Sequence, residues 1–260
     1  MSAMVKLKLN RLFISAILIV SFCGFVIVKL QKPLLNKEKI ETAQDFLRKE
    51  SITQSQLDLI HRFPTLGFQN LIADKLFLDF IQYYGNAQAR QVTGYGLLPD
   101  FYQLIVKRDP RFVTAYLTLD PATSLFAGRP DLSVEYLNFG LKYISPEQPL
   151  AYQIWLFKAI DELLFLGKTE EARKSFEMAA KWAKKANTPQ TLAFSQRYAE
   201  TAEFLKQNPD SKKARASAWL MILGNARDDQ VRQIALANLE QLGAKITVNG
   251  NQFSVDIPEN

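Results

Sequence analysis

The chain holds one cysteine, Cys23, and one histidine, His61, in 260 residues. Beyond residue 23 there is no thiol, so disulfides and cysteine catalysis are excluded from everything that follows. With one histidine and no cysteine in the part that follows residue 23, there is no Cys/His pair, no HExxH zinc helix and no multi-histidine metal site there. Glycine is sparse, with 11 in all, and neither GxGxxG nor GxxxxGK[ST] occurs. The stretch TGYGLL is too short to cradle a phosphate. No metal, cofactor or nucleotide is expected. Carboxylates stand side by side at Asp161-Glu162 and Asp228-Asp229. Adjacent positions on a helix point in different directions, so these pairs are expected to be solvated rather than to share a reacting atom.

An excess of positive charge is missing from most of the chain. The formal net charge is +6, yet residues 1 to 40 carry Lys6, Lys8, Arg11, Lys29, Lys32, Lys37 and Lys39 against Glu38 alone, which accounts for all of it. The remainder is formally neutral, so a basic pI gives no reason to expect a nucleic-acid face.

The charges flank an apolar run, LFISAILIVSFCGFVIVKL, residues 12 to 30, uncharged from Leu12 to Val28. About 20 apolar residues cross roughly 30 Å of hydrocarbon, so the run predicts a single transmembrane helix. A short basic tail, residues 1 to 11, suits a signal-anchor with a cytoplasmic N-terminus and the following domain on the periplasmic or lumenal side. An alternative lies in VSFCG, which resembles a bacterial lipobox and would make Cys23 a lipid-anchored N-terminus; Phe22 departs from the small residue of that pattern. Residues 31 to 50, with Pro33, read as a juxtamembrane linker running into a first helix near residue 38.

Further on, apolar residues recur at spacings of three and four, and prolines and glycines bound segments of helical length. SITQSQLDLIHRF offers Ser51 as an N-cap and sets Leu57, Ile60 and His61 on one face. LGFQNLIADKLFLDFIQYYG, residues 66 to 85, carries Leu71, Leu78 and Ile81 in register. DLSVEYLNFGLKYIS, residues 131 to 145, is expected to bury Val134, Leu137, Leu141 and Ile144. Near the end KITVNGNQFSVDI alternates around Asn249-Gly250 and predicts a β-hairpin over 244 to 260 that caps the last helices.

Residues 153 to 184 carry the most specific pattern. Leu156, Ala159 and Leu163 fall in a first helix, Gly167 at a turn, and Ala172, Phe176 and Ala179 in a second. Small residues at this spacing let two helices approach while the aromatic fills the gap to the next pair. The pattern resembles the tetratricopeptide repeat, departing from it at Ile160 and Lys184. Weaker units follow the same logic, with Gly128, Ser133, Leu137 and Gly140 in one whose first helix Asp120-Pro121 should kink or restart, and with helical pairs over 66 to 110 and 211 to 242. ADKLFLDFIQYYG is also similar to helices of bacterial, including cyanobacterial, membrane-anchored repeat proteins.

The resemblance implies an all-α, tetratricopeptide-like solenoid over residues 51 to 243. It implies a concave groove lined by Lys75, Asp79, Gln82 and Tyr83 in the first unit and by Phe157, Asp161, Leu164 and Phe165 in the best one. The corresponding function is non-catalytic: a membrane-tethered scaffold or assembly factor that binds a protein partner. Two alternatives remain open, an envelope hydrolase whose carboxylates are assembled by the fold, and a structural subunit of a larger membrane complex.

Overall fold

The computed structural model describes residues 17–31, 41–62, 64–209, 212–225, 229–249 and 252–256. The chain divides into two units, Met1–Asp45 and Phe46–Asn260.

In the first unit, residues 17–31 form helix α1. The fifteen described residues extend about 22 Å at 1.5 Å per residue, against the roughly 30 Å of a bilayer's hydrocarbon core. Among the described residues no helix is long and apolar enough to cross a membrane. Part of the span expected over 12–30 lies outside the described residues. The single-pass membrane localisation read from composition is corrected on that finding: among the described residues the apolar run supplies no helix of spanning length.

Helix α2 (Ala43–Arg62) opens at Thr42 rather than at Ser51. The Thr42 amide donates to Asp45 Oδ2 at 3.0 Å and the Asp45 amide donates to Thr42 Oγ1 at 3.3 Å, a reciprocal cap that the sequence TAQD spells out. Ser51 lies inside the helix and turns its hydroxyl back on the Arg48 carbonyl at 2.9 Å.

The helices that follow are α3 (Gln69–Gly85), α4 (Ala87–Thr93), α5 (Leu98–Arg108) and α6 (Val113–Pro121), then a π-helical turn (Ala122–Phe126). Beyond it come α7 (Pro130–Gly140), α8 (Tyr152–Leu164), α9 (Thr169–Ala186), α10 (Pro189–Gln207), α11 (Lys212–Asn225) and α12 (Asp229–Gln241). Packing runs α3 on α5, α8 on α9, α9 on α10 and α11 on α12. The fold is helical and compatible with a helical solenoid. Punctuation is local: Asn187 at φ 52° closes α9, and Thr188 with Pro189 and Thr191 opens α10 through a capping box. At Pro121 α6 passes into the π turn, where the Ala127 amide reaches back to the Ala122 carbonyl at 3.2 Å.

Two apolar cores result. Leu76, Phe80, Phe101, Tyr102, Tyr116 and Leu137 anchor one, and Ala159, Leu163, Ala172, Phe176, Trp219 and Leu239 the other. Helix α8 serves both, with Ile154 in the first and Ala159 and Leu163 in the second, and ten of its 13 residues are buried. A helix that is apolar nearly all round belongs between two layers.

Helix α3 turns a different face inward from the one its register suggests. Ala73, Leu76, Phe80 and Tyr83 are buried, while Leu71 and Leu78 stay 65% and 62% exposed and Ile81 is exposed too. Apolar residues occupy both sides of this helix, and the side holding the large aromatics fills the core. In α7, Leu137 is buried as expected and so is Ile144 beyond it, but Val134 and Leu141 are only half-buried; Ser133, Tyr136 and Gly140 complete the inner face.

Strands β1 (Lys245–Asn249) and β2 (Gln252–Asp256) pair antiparallel, Ile246 opposite Val255. Gly250 and Asn251 lie outside the described residues. Among the described residues the strands form a two-stranded sheet of their own and no packed layer on the helices. The expected β cap on the array is overturned, because a ribbon of two short strands has too little surface to close a helical core.

Candidate functional site

A cleft of about 570 Å³ opens between α2 and α3 and is floored by α4 and α5. From α2 come Phe46, Glu50, Thr53, Leu57 and Ile60, spaced by four, three, four and three, so that one face of the helix lines the opening. Across from them stand Lys75, Asp79, Gln82 and Tyr83 of α3, with Arg90 and Phe101 beneath. The four groove positions implied for the first unit therefore come together on one wall.

The floor is held by a polar set. Arg90 Nη2 donates to Glu50 Oε2 at 2.9 Å, and its Nη1 donates to the Gly94 carbonyl at 2.6 Å. The guanidinium carbon sits 3.5 Å from the centre of the Tyr83 ring, a cation–π stack in which both residues are buried. Tyr83 Oη donates to Glu50 Oε1 at 2.8 Å and accepts weakly from the Leu97 amide at 3.4 Å. Burial, and then the hydrogen bond to Glu50, push the Tyr83 phenol well above its ordinary pKa, so it stays a neutral donor. At the rim Lys75 Nζ meets Asp79 Oδ2 at 2.5 Å, solvated on both sides.

The groove positions implied for the best repeat unit lie elsewhere. Leu164 is buried, and Phe157 and Phe165 are half-buried against the cores, Phe165 edge-on to Trp219 at 5.4 Å. Asp161 is 2% exposed, and Glu162 beside it 3%, which corrects the expectation that the pair is solvated. Each is served by its own network. Ser124 Oγ donates to Asp161 Oδ2 at 2.5 Å; Asp161 hydrogen-bonds Asp120, whose other partner is the Ser133 hydroxyl. Lys158 Nζ donates to Glu162 Oε1 at 2.5 Å and to Ser175 Oγ at 2.9 Å, and Ser175 Oγ donates to Glu162 Oε2 at 2.6 Å. These sets tie α8 to α6, the π turn, α7 and α9.

Desolvation raises both Asp120 and Asp161, and the Asp120 charge raises Asp161 further. Two carboxyls this close inside a core disfavour the state in which both are ionised, so the pair titrates as a unit. Among the described residues no three His, Cys, Asp or Glu side chains gather as metal ligands would.

Glu50 and Arg90 carry no sequence signal as a pair, because 40 residues separate them. Burial of the α8 charges left none either, because Lys158, Asp161 and Glu162 recur at three and four as they would on a solvated helix face. No family model, curated protein or solved structure matches the chain.

Proposed function

We propose that the protein is a non-catalytic interaction module that binds a protein partner in the cleft between α2 and α3. The observation that carries this reading is the cleft itself. Its size is that of a binding site, and its walls set apolar side chains beside charges of both signs, as a peptide with mixed side chains requires. The tetratricopeptide-like pattern of residues 153–184 supports the same class of function, since stacked helical hairpins present grooves to peptides. The carboxyl pair Asp120–Asp161 is enclosed in the core rather than set in the cleft, which favours binding over hydrolysis.

A photo-reactive residue at Gln82, on the cleft wall, and another at exposed Lys181 test it. One dominant protein captured at Gln82 and not at Lys181, and lost when Arg90 is replaced by alanine, is the expected result. Equal capture at both positions, or none at either, overturns the proposal.

A further inference from the structure

The cleft is roofed by a helix that reaches the core mainly through Leu57 and Ile60. Of the 20 residues in α2 only Phe46 and Leu57 are buried. Both belong to the stripe that faces the opening, and space remains between that stripe and α3, where closely packed helices would interdigitate. Polar bonds hold it as well: the Glu50 carboxylate to Arg90 and Tyr83, and Arg108 Nη2 to the Ile60 carbonyl at 2.5 Å. The surface below also has bonds of its own that do not pass through Glu50. Arg90 is fixed by its stack on Tyr83 and by the Gly94 carbonyl, both supplied by α3 and α4.

We propose that α2 is a displaceable strap, and that the surface it covers takes an amphipathic partner helix with the same three anchors: an aromatic residue in the place of Phe46, a carboxylate four residues later for Arg90 and Tyr83, and an aliphatic residue seven beyond that. This rests on the protein-binding reading above and names its partner. The buried guanidinium sets the chemistry, because a helix that displaces Glu50 without supplying a carboxylate leaves that cation without its charge partner. Charge complementarity therefore selects an acidic helix over a neutral or basic one. α2 competes from within the same chain, so it lowers the apparent affinity by the fraction of time it is seated.

Hydrogen exchange on the intact chain and titration with a labelled peptide of residues 43–62 test the strap together. Amides of α2 should exchange at least about tenfold faster than those of α3 and α5, which pack on each other. The peptide should bind the Glu50→Gln chain roughly tenfold or more tightly than the unaltered chain, since the competing carboxylate bond is gone. A peptide with its own Glu50→Gln change should lose that affinity. Equal exchange in α2 and α3, or equal binding to the two chains, overturns the proposal. Capture of a partner at Gln82 with a slowly exchanging α2 sinks the strap and spares the interaction module. A strap that opens and accepts the peptide, with nothing captured at Gln82, spares the strap and sinks the module.

Discussion

Gly140 lies against the ring of Tyr116, close enough that a Cβ at this position would run into the ring carbons. Tyr116 is fully buried and its hydroxyl donates to the Pro110 carbonyl at 3.2 Å, so the ring has no room to retreat. Gly140→Ala should destabilise the chain by about 1–3 kcal/mol. Urea unfolding measures it, and a change within about 0.5 kcal/mol would show that the ring does yield.

The buried charges of α8 should respond asymmetrically. Glu162→Ala leaves the Lys158 ammonium buried with a serine hydroxyl and the Trp155 ring beside it but no opposite charge, and should cost about 3–5 kcal/mol. Replacing the pair together, as Lys158→Met with Glu162→Leu, removes the charge and its partner at once and should recover most of that loss. A double variant no more stable than the single one would mean that the pair is not the source of the cost.

Stability should depend on pH through the other α8 network. Both carboxyls are raised in the folded state, Asp120 from 3.8 to about 7, so the folded chain holds more protons than the unfolded one above the ordinary carboxylate range. Their contribution is therefore fully present at acid pH and is lost as pH rises through about 7. Asp161→Asn offers Asp120 a donor and removes one of the two raised carboxyls, and should cut the slope of stability against pH between 5 and 8 by about half or more. An unchanged slope in urea titrations across that range would place the titration elsewhere.

The two faces of α3 give a direct contrast. Leu76→Ala should cost about 2–5 kcal/mol, whereas Leu71→Lys and Leu78→Lys, on the exposed side, should change stability by less than about 0.5 kcal/mol. Thermal melts of the three variants check it. Losses of similar size at Leu71 and Leu76 would mean that the outer face is covered.

Much of the secondary structure was legible because its signals are local. The helical spacing of Ala172, Phe176 and Ala179 marks the core face of α9, and all three are buried. Proline at 121 interrupts a helix wherever that helix ends up. Thr42 and Asp45 also state their cap within four residues, while Ser51, a good capping residue on its own, lies inside the helix. On α3 the local signal was ambiguous in principle. Leu71 and Leu78 repeat at helical spacing as well as Leu76 and Phe80 do, and nothing within the helix says which set meets α5.

By itself the sequence determined the helical class, the positions of most breaks and the best-matched hairpin, because propensity, capping and periodicity act over a few residues. Tertiary structure alone decided the direction of α3, the enclosure of Asp161 and Glu162, and the joining of Glu50 to Arg90 beneath Tyr83. Those outcomes depend on which surfaces meet once separate helices pack, and burial, desolvation and ion pairing across 40 residues are properties of that meeting rather than of any segment.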